Sequence, residues 1–320
     1  MMKKLVIMEQ LDEKYIVQLK QMAPGWEIIY SIEHQDFLPH LADAEILSGW
    51  NRYAANECLK PGTPLRWVHN WGAGVNTMPL AEFKKLGITL TNSSGVHGYP
   101  ISETVFAMML SLTRKVHVYI RNQAERKWSA VNNPLEMHGK TIGILGLGEI
   151  GMEVARLARA FGMEVLGYRR SALPVEGIDM LFEYGRQGLL ELLGRSDYIV
   201  NTLPLTKETN RLIGREQFER MKRTAFYINI GRGETTDTDA MVAALKENRI
   251  AGAGLDVYEQ EPLPKESPLW ELDNVILTPH TSGMTEHYAK RVMEIFKPNF
   301  QAYLDGKMPG INRVDLDKEY

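Results

Sequence analysis

Cysteine is almost absent. Cys58 is the only one in 320 residues, so no intramolecular disulfide can form and no multi-cysteine metal site is available. A single thiol fits a reducing compartment, and the cytoplasm is the expected location. Long apolar runs are missing too. The longest, residues 105–110, falls far short of the ~20 apolar residues that a membrane span needs. Lys3 and Lys4 precede a short apolar stretch that ends at Glu9, so no secretory signal is expected. Charge of one sign is not in excess. Lys and Arg number 37 against 40 Asp and Glu, a net charge of −3, which argues against a nucleic-acid partner. Short-period repeats and low-complexity tracts are lacking. The histidines outside the motifs below show no metal-ligand spacing, and no metal site is expected.

What is present is the composition of a folded chain. Hydrophobic residues make up 44% and charged residues 24%, enough for a large core and unlike a disordered segment. The length suggests two domains. Strand patterns at 4–8, 27–30, 45–49, 66–70 and 88–92 alternate with helical patterns at 12–22, 36–42, 54–60 and 79–86. That alternation predicts parallel βαβ units. A long helical pattern follows from Ile101 to about Arg126, strongly apolar in its first half, with Pro100 at its start. It reads as a buried helix. A second series begins near Lys140, with strands at 141–145, 164–168, 198–202, 225–230, 253–257 and 275–278 and helices such as 150–161 and 238–247. Six strands in this pattern predict a doubly wound sheet. Residues 288–304 read as a last helix that Pro298 breaks or kinks.

Ligands of open parallel sheets bind beyond the carboxyl ends of the strands. After the first strand of the second series comes Gly146-Leu147-Gly148-Glu149-Ile150-Gly151. Gly146 permits a tight turn, Gly148 lets a pyrophosphate approach backbone N–H groups, and Gly151 lets helix and strand pack closely. Glu149 and Ile150 open the helix whose N-terminus faces the diphosphate. The motif follows a strand and begins a βαβ series, the context that dinucleotide binding requires. The next strand ends at Tyr168, where NAD sites carry an acid for the ribose 2′-hydroxyl. Here Arg169, Arg170 and Ser171 stand instead. Two guanidiniums and a hydroxyl suit a 2′-phosphate, so NADPH is the expected cofactor, with NADH possible in its place.

Reduction of a ketone needs a proton donor and a cation for a carboxylate. His280 follows a strand end and suits the first task near neutral pH. Glu261 can hold and charge the imidazole. Arg232, between Gly231 and Gly233, can bind a carboxylate in a fork and polarise a carbonyl.

These residues resemble the D-isomer-specific 2-hydroxyacid dehydrogenases. The resemblance rests on GKTIGILGLGEIG at 139–151, NTLPLTKET at 201–209, NIGRG at 229–233, GAGLDVYEQEPLP at 252–264, LTPHTSG at 277–283 and GAGVN at 72–76. It runs over nearly the whole chain. EPLPKESPLW at 261–270 and Trp50 look most like the NADPH-dependent glyoxylate/hydroxypyruvate reductases. The resemblance implies an α/β architecture of two doubly wound parallel-sheet domains. A Rossmann cofactor domain at 99–287 is inserted into a flavodoxin-like substrate domain at 1–98 and 288–320, with a cleft that closes between them. It implies Arg232, Glu261 and His280 as catalytic residues and Asp256 at the nicotinamide carboxamide. Leu203, Pro204, Thr209 and Ile230 join the cofactor contacts. Backbone N–H groups of Ala73 and Gly74, with Trp50 and Arg232, hold the substrate. A homodimer is expected, with a small 2-oxo or 2-hydroxy acid as partner and no membrane.

Three features depart from the family's commonest pattern. The NAD-type acid is missing, Asn76 replaces a common Asp, and Thr235-Thr236 replace an apolar pair. Trp50 and Trp71 flank the substrate loops, where they either narrow the pocket for small acids or pack in the first domain's core. Two other functions stay open: a dehydrogenase for larger 2-oxo acids, and a dinucleotide-sensing, corepressor-like binding protein. The complete Arg, Glu and His set and the lack of an appended peptide-binding tail speak for the enzyme.

Overall fold

The computed structural model describes residues 2–75, 77–131, 135–171 and 173–317. Asn76 lies outside them. In chain order the elements are β1 (Lys3–Ile7), α1 (Glu13–Met22), β2 (Trp26–Tyr30), α2 (His34–Phe37), β3 (Ile46–Ser48), α3 (Arg52–Cys58), β4 (Trp67–Asn70), α4 (Leu80–Leu86) and β5 (Thr89–Asn92). Then come α5 (Gly98–Thr113), α6 (Val116–Ala124), β6 (Thr141–Leu145), α7 (Glu149–Ala160), β7 (Glu164–Arg169), β8 (Met180–Glu183), α8 (Arg186–Arg195) and β9 (Tyr198–Asn201). The series closes with α9 (Arg215–Arg220), β10 (Phe226–Asn229), α10 (Thr238–Lys246), β11 (Gly252–Leu255), β12 (Val275–Leu277) and α11 (Tyr288–Leu304). The chain divides into two compact units, Met1–Val96 with Thr285–Tyr320 and His97–Met284.

The first unit carries a five-stranded parallel sheet in the order β2-β1-β3-β4-β5, the flavodoxin-like order. Its inner strands are short apolar runs because helices cover both faces. Leu5, Val6, Ile46, Leu47 and Val68 are all fully buried. The last helix returns to this unit. Phe296 of α11 stacks on Trp67 with ring centroids 5.1 Å apart, and Val292, Met293 and Phe300 are buried beside it. Pro298 lies inside α11, and the helix runs on to Leu304, so the expected break is absent. An interior proline costs about 3 kcal/mol. Two buried phenylalanines and Asn299 flank it, and the Asn299 side chain bonds the backbone of Gly310 and Ile311 at 2.8–3.0 Å. That packing outweighs the lost helical bond.

The second unit holds seven parallel strands in the order β12-β11-β10-β9-β6-β7-β8. This is the Rossmann order with one extra strand at the far edge. The six-strand expectation missed β8. That strand buries only Phe182 of its four residues, because an edge strand needs little apolar surface. The single long helix expected from Ile101 to Arg126 is two helices. Lys115, at φ +58°, turns the chain between α5 and α6. The Thr113 hydroxyl bonds Met109 O at 2.6 Å and Tyr198 Oη at 2.7 Å, which fixes the end of α5 before the turn. α5 is buried along most of its length and lies on β11, where a Cβ on Gly254 would stand 2.9 Å from Met108. Among the described residues no helix is long and apolar enough to cross a membrane.

Candidate active site

β6 pairs with both β7 and β9, so the loop after it lies where the strand order reverses. Gly146 there has φ +94°, a conformation that L side chains avoid. Its N–H donates to Tyr168 O at 3.0 Å and ties the loop to β7. A Cβ on Gly151 would fall 2.1 Å from Gly146 O, so α7 can approach the loop only with glycine at that place. Gly148 differs. Among the described residues nothing lies within 4 Å of a Cβ built on it, and its φ of −77° suits any residue. The protein itself does not require glycine at 148, whereas a diphosphate approaching the N-terminus of α7 does. Glu149 and Ile150 form the first turn of that helix, and burial pushes the Glu149 carboxyl above its usual pKa. The loop therefore fits a dinucleotide.

Arg169 is the last residue of β7 and forms no ion pair among the described residues. Arg170 lies 3.7 Å from Glu208, with both side chains exposed. Ser171 accepts a bond from Leu173 N at 3.4 Å. Leu203, Pro204, Thr209 and Ile230 gather at the ends of β9 and β10. Asn201 Oδ1 accepts from Leu203 N, the Thr209 hydroxyl donates to Pro204 O at 2.6 Å, and Ile230 N donates to Asn201 O.

Arg232 sits between two glycines for a reason that the sequence does not disclose. A Cβ on Gly231 would meet Leu203 O at 2.6 Å, and one on Gly233 would meet the carbonyl carbon of Tyr258 at 1.9 Å. The backbones of the β9 and β11 loops thus press on either side of the arginine. The β11 loop carries Glu261. Its Oε1 accepts from Tyr258 N at 3.0 Å, and its Oε2 lies 2.6 Å from His280 Nδ1. A carboxylate can only accept, so Nδ1 carries the proton and Nε2 is left for other chemistry. Both side chains are partly open to solvent.

His280 has φ +54°, and its loop is held by Asp256. Asp256 Oδ1 accepts from the Thr278 hydroxyl at 2.6 Å and from Thr281 N at 2.9 Å, and Oδ2 accepts from Ser282 N at 3.0 Å. Fully buried, Asp256 grips the residues on both sides of His280. Tyr258 Oη adds a bond to Thr278 O at 2.8 Å. Sequence reasoning missed this grip, although an acid next to a buried strand end was its only available signal.

The Thr235-Thr236 pair also has a structural account. Both are buried. The Thr235 hydroxyl donates to Arg232 O at 2.6 Å and accepts from Asn201 Nδ2 at 2.8 Å, while Thr236 Oγ1 meets Tyr227 Oη at 2.7 Å. Asn229 Nδ2 completes the set, at 3.2 Å from Thr236 Oγ1 and 3.3 Å from Arg232 O. An apolar pair could not supply these bonds behind the arginine. Burial pushes the Tyr227 phenol up to about 12, so it stays a neutral member of this network.

In the first unit, Ala73 and Gly74 lie in the loop after β4, held by the side chains of Asn70 and Asn92. Trp71 is buried, donates Nε1–H to Ser48 Oγ at 2.8 Å and belongs to the core with Tyr15 and Val292. Of the two roles open to it, packing is the one that its placement supports. Trp50 is half-buried and meets Phe83 edge to face at 4.9 Å. A cavity of about 970 Å³ is lined by Tyr99, Glu149, Arg156, Arg159 and Asp179. It contains none of Arg232, Glu261 or His280, which lie beyond the ends of β10, β11 and β12.

Residues 106–282 match the family model described as D-isomer specific 2-hydroxyacid dehydrogenase, NAD binding domain. A glyoxylate reductase of Korarchaeum cryptofilum is 38% identical over 262 residues, covering 79% of this chain and 77% of its own. A crystal structure of a D-isomer specific 2-hydroxyacid dehydrogenase family protein from Aeromonas salmonicida is 33% identical. It superposes with a TM-score of 0.86 over 99% of this chain and 100% of its own. An NADPH-dependent glyoxylate/hydroxypyruvate reductase from Sinorhizobium meliloti, solved with NADP and sulfate, is 26% identical with a TM-score of 0.77, over 99% and 100% of the two chains. The fingerprint loop, the strand-end Arg, Glu and His, and the match over both units lead to one assignment: the chain belongs to the D-isomer-specific 2-hydroxyacid dehydrogenase family, enzymes that use a nicotinamide dinucleotide.

Proposed function

We propose that the protein is an NADPH-dependent reductase of small 2-oxo acids, of the glyoxylate/hydroxypyruvate type, giving D-2-hydroxy acids where the product is chiral. The observation that carries the reading is the 2.6 Å pair of His280 Nδ1 and Glu261 Oε2, on a loop that Asp256 clamps. The nicotinamide, when bound, supplies the hydride. His280 delivers the proton from Nε2 to the carbonyl oxygen, and Glu261 stabilises the imidazolium that gives it up. Arg232 polarises the carbonyl and binds the carboxylate, together with the N–H groups of Ala73 and Gly74. Trp50 contributes to the same substrate site. The cofactor's diphosphate is assigned to the loop of Gly146, Gly148 and Gly151.

The choice of NADPH rests on the end of β7. Arg169 and Arg170 occupy the place of the NAD-type acid, and among the described residues Arg169 has no ion-pair partner that a 2′-phosphate would need to displace. Arg169→Asp tests it: the NADPH/NADH ratio of kcat/KM should fall by about 10-fold or more, since a charge-assisted bond contributes about 1.5–3 kcal/mol. An unchanged ratio overturns the assignment. A homodimer is part of the same proposal. Val116, Tyr119, Ile120 and Trp128 are exposed along and just beyond α6, an apolar patch of the sort that a second copy covers. Light scattering of the purified protein decides between dimer and monomer.

A further inference from the structure

β4 and β5 end side by side, with Asn70 paired directly to Asn92 in the sheet register. Their side-chain amides take three consecutive carbonyls of the loop that follows β4. Asn70 Nδ2 donates to Gly72 O at 3.0 Å and to Gly74 O at 2.9 Å. Asn92 Nδ2 donates to Ala73 O at 2.7 Å. Gly72 O also accepts from Ser93 N at 3.3 Å. The Asn92 amide is fixed in turn, because its Oδ1 accepts from Ser94 N at 3.1 Å.

A trans peptide is planar, with the C=O of one residue antiparallel to the N–H of the next. Holding Gly72 O therefore sets the direction of the Ala73 N–H. Holding Ala73 O sets that of Gly74, and holding Gly74 O sets that of Val75. Each N–H points away from the asparagine that holds its plane. Successive N–H groups turned outward from a loop make a concave site for an anion.

We propose that Asn70 and Asn92 are positioning residues for the substrate carboxylate, acting through the loop whose N–H groups they aim. This rests on the reading of Ala73 and Gly74 as carboxylate donors. Neither asparagine touches the substrate. The pair makes the site specific for a 2-oxo acid over an uncharged carbonyl compound of the same size. Without the amides, each peptide plane is free to rotate, and the N–H groups must be ordered afresh each time the anion binds.

The test uses the full-length enzyme with bound NADPH, as Asn70→Ala and Asn92→Ala singly, with glyoxylate and the carboxylate-free glycolaldehyde as substrates. The expected result is a rise of about tenfold or more in KM for glyoxylate, the size of losing one hydrogen bond to a charged group. The effect should fall on KM rather than kcat. The preference for glyoxylate over glycolaldehyde should fall by the same factor, with the Kd for NADPH within twofold. A merely structural role would lower Tm and weaken both substrates and NADPH together, and that outcome overturns the proposal. So does an unchanged KM for glyoxylate in either variant that folds. Asn92 is the more buried of the two, and if Asn92→Ala does not fold, Asn70→Ala decides alone. An unaltered enzyme that reduces no 2-oxo acid overturns the underlying functional reading instead, and the proposal with it.

Discussion

Two glycines of one fingerprint should respond to the same substitution in opposite ways. At Gly151 an added methyl would lie 2.1 Å from Gly146 O, roughly 1 Å inside ordinary contact, and the obstacle is backbone. Either α7 or the loop has to move. Overpacking of this kind costs about 1–3 kcal/mol, at times more. For a unit of this size 1 kcal/mol shifts Tm by about 2–4 °C, so Gly151→Ala should lower Tm by roughly 6–12 °C if the cost is about 3 kcal/mol. At Gly148 the methyl meets none of the described residues and the backbone needs no left-handed conformation. Gly148→Ala should leave the Tm of the cofactor-free protein within about 1 °C. Its effect should fall on the dinucleotide, with Kd for NADPH rising about 10-fold or more, because the methyl stands where the diphosphate meets the N–H groups. Thermal unfolding without cofactor and fluorescence titration with NADPH separate the two effects. Full NADPH affinity in Gly148→Ala, or an unshifted Tm in Gly151→Ala, would refute the reasoning.

Two more expectations follow from buried groups. Burial lowers His69 from 6.5 to about 3, between Thr91 Oγ1 at 2.8 Å and Ser93 Oγ at 3.2 Å. The folded protein therefore binds this proton less well than the unfolded chain does. His69 contributes full stability above pH 6.5 and loses it as pH falls toward about 3, at up to ~1.4 kcal/mol per pH unit. Urea unfolding across that range should show a shallower slope in His69→Gln than in the unaltered protein. At Asp256, replacement by asparagine turns an acceptor into an N–H facing one of the three donors of the His280 loop. Asp256→Asn should lose about 1–3 kcal/mol of stability, read as a lower Tm, and should reduce kcat more than it weakens NADPH binding.

The parts legible from sequence are those in which one residue type has one physical use. The fingerprint could be read because Gly146 and Gly151 answer to backbone constraints, and Arg232, Glu261 and His280 because each follows an apolar strand. What stayed hidden depends on neighbours distant in sequence. β8 buries one residue and left almost no pattern. The turn at Lys115 interrupts a periodicity that runs through it. Asp256 is an acid in the sequence, and only folding shows its oxygens on Thr278, Thr281 and Ser282. Thr235 and Thr236 acquire meaning from Asn201, Tyr227 and Asn229. Trp71 could have faced a ligand or the core, and a hydrogen bond to Ser48 on the neighbouring strand marks the core.

The central claim is the pairing of cofactor and substrate, and initial rates on the purified protein test it most directly. NADPH and NADH are each paired with glyoxylate and with a branched 2-oxo acid. The account predicts that NADPH with glyoxylate is the fastest of the four combinations. Faster turnover with NADH would contradict the role of Arg169 and Arg170, and faster turnover of the branched acid would contradict the small-substrate reading. Silence in all four combinations, with NADPH still bound, would contradict the reductase itself and favour a dinucleotide sensor.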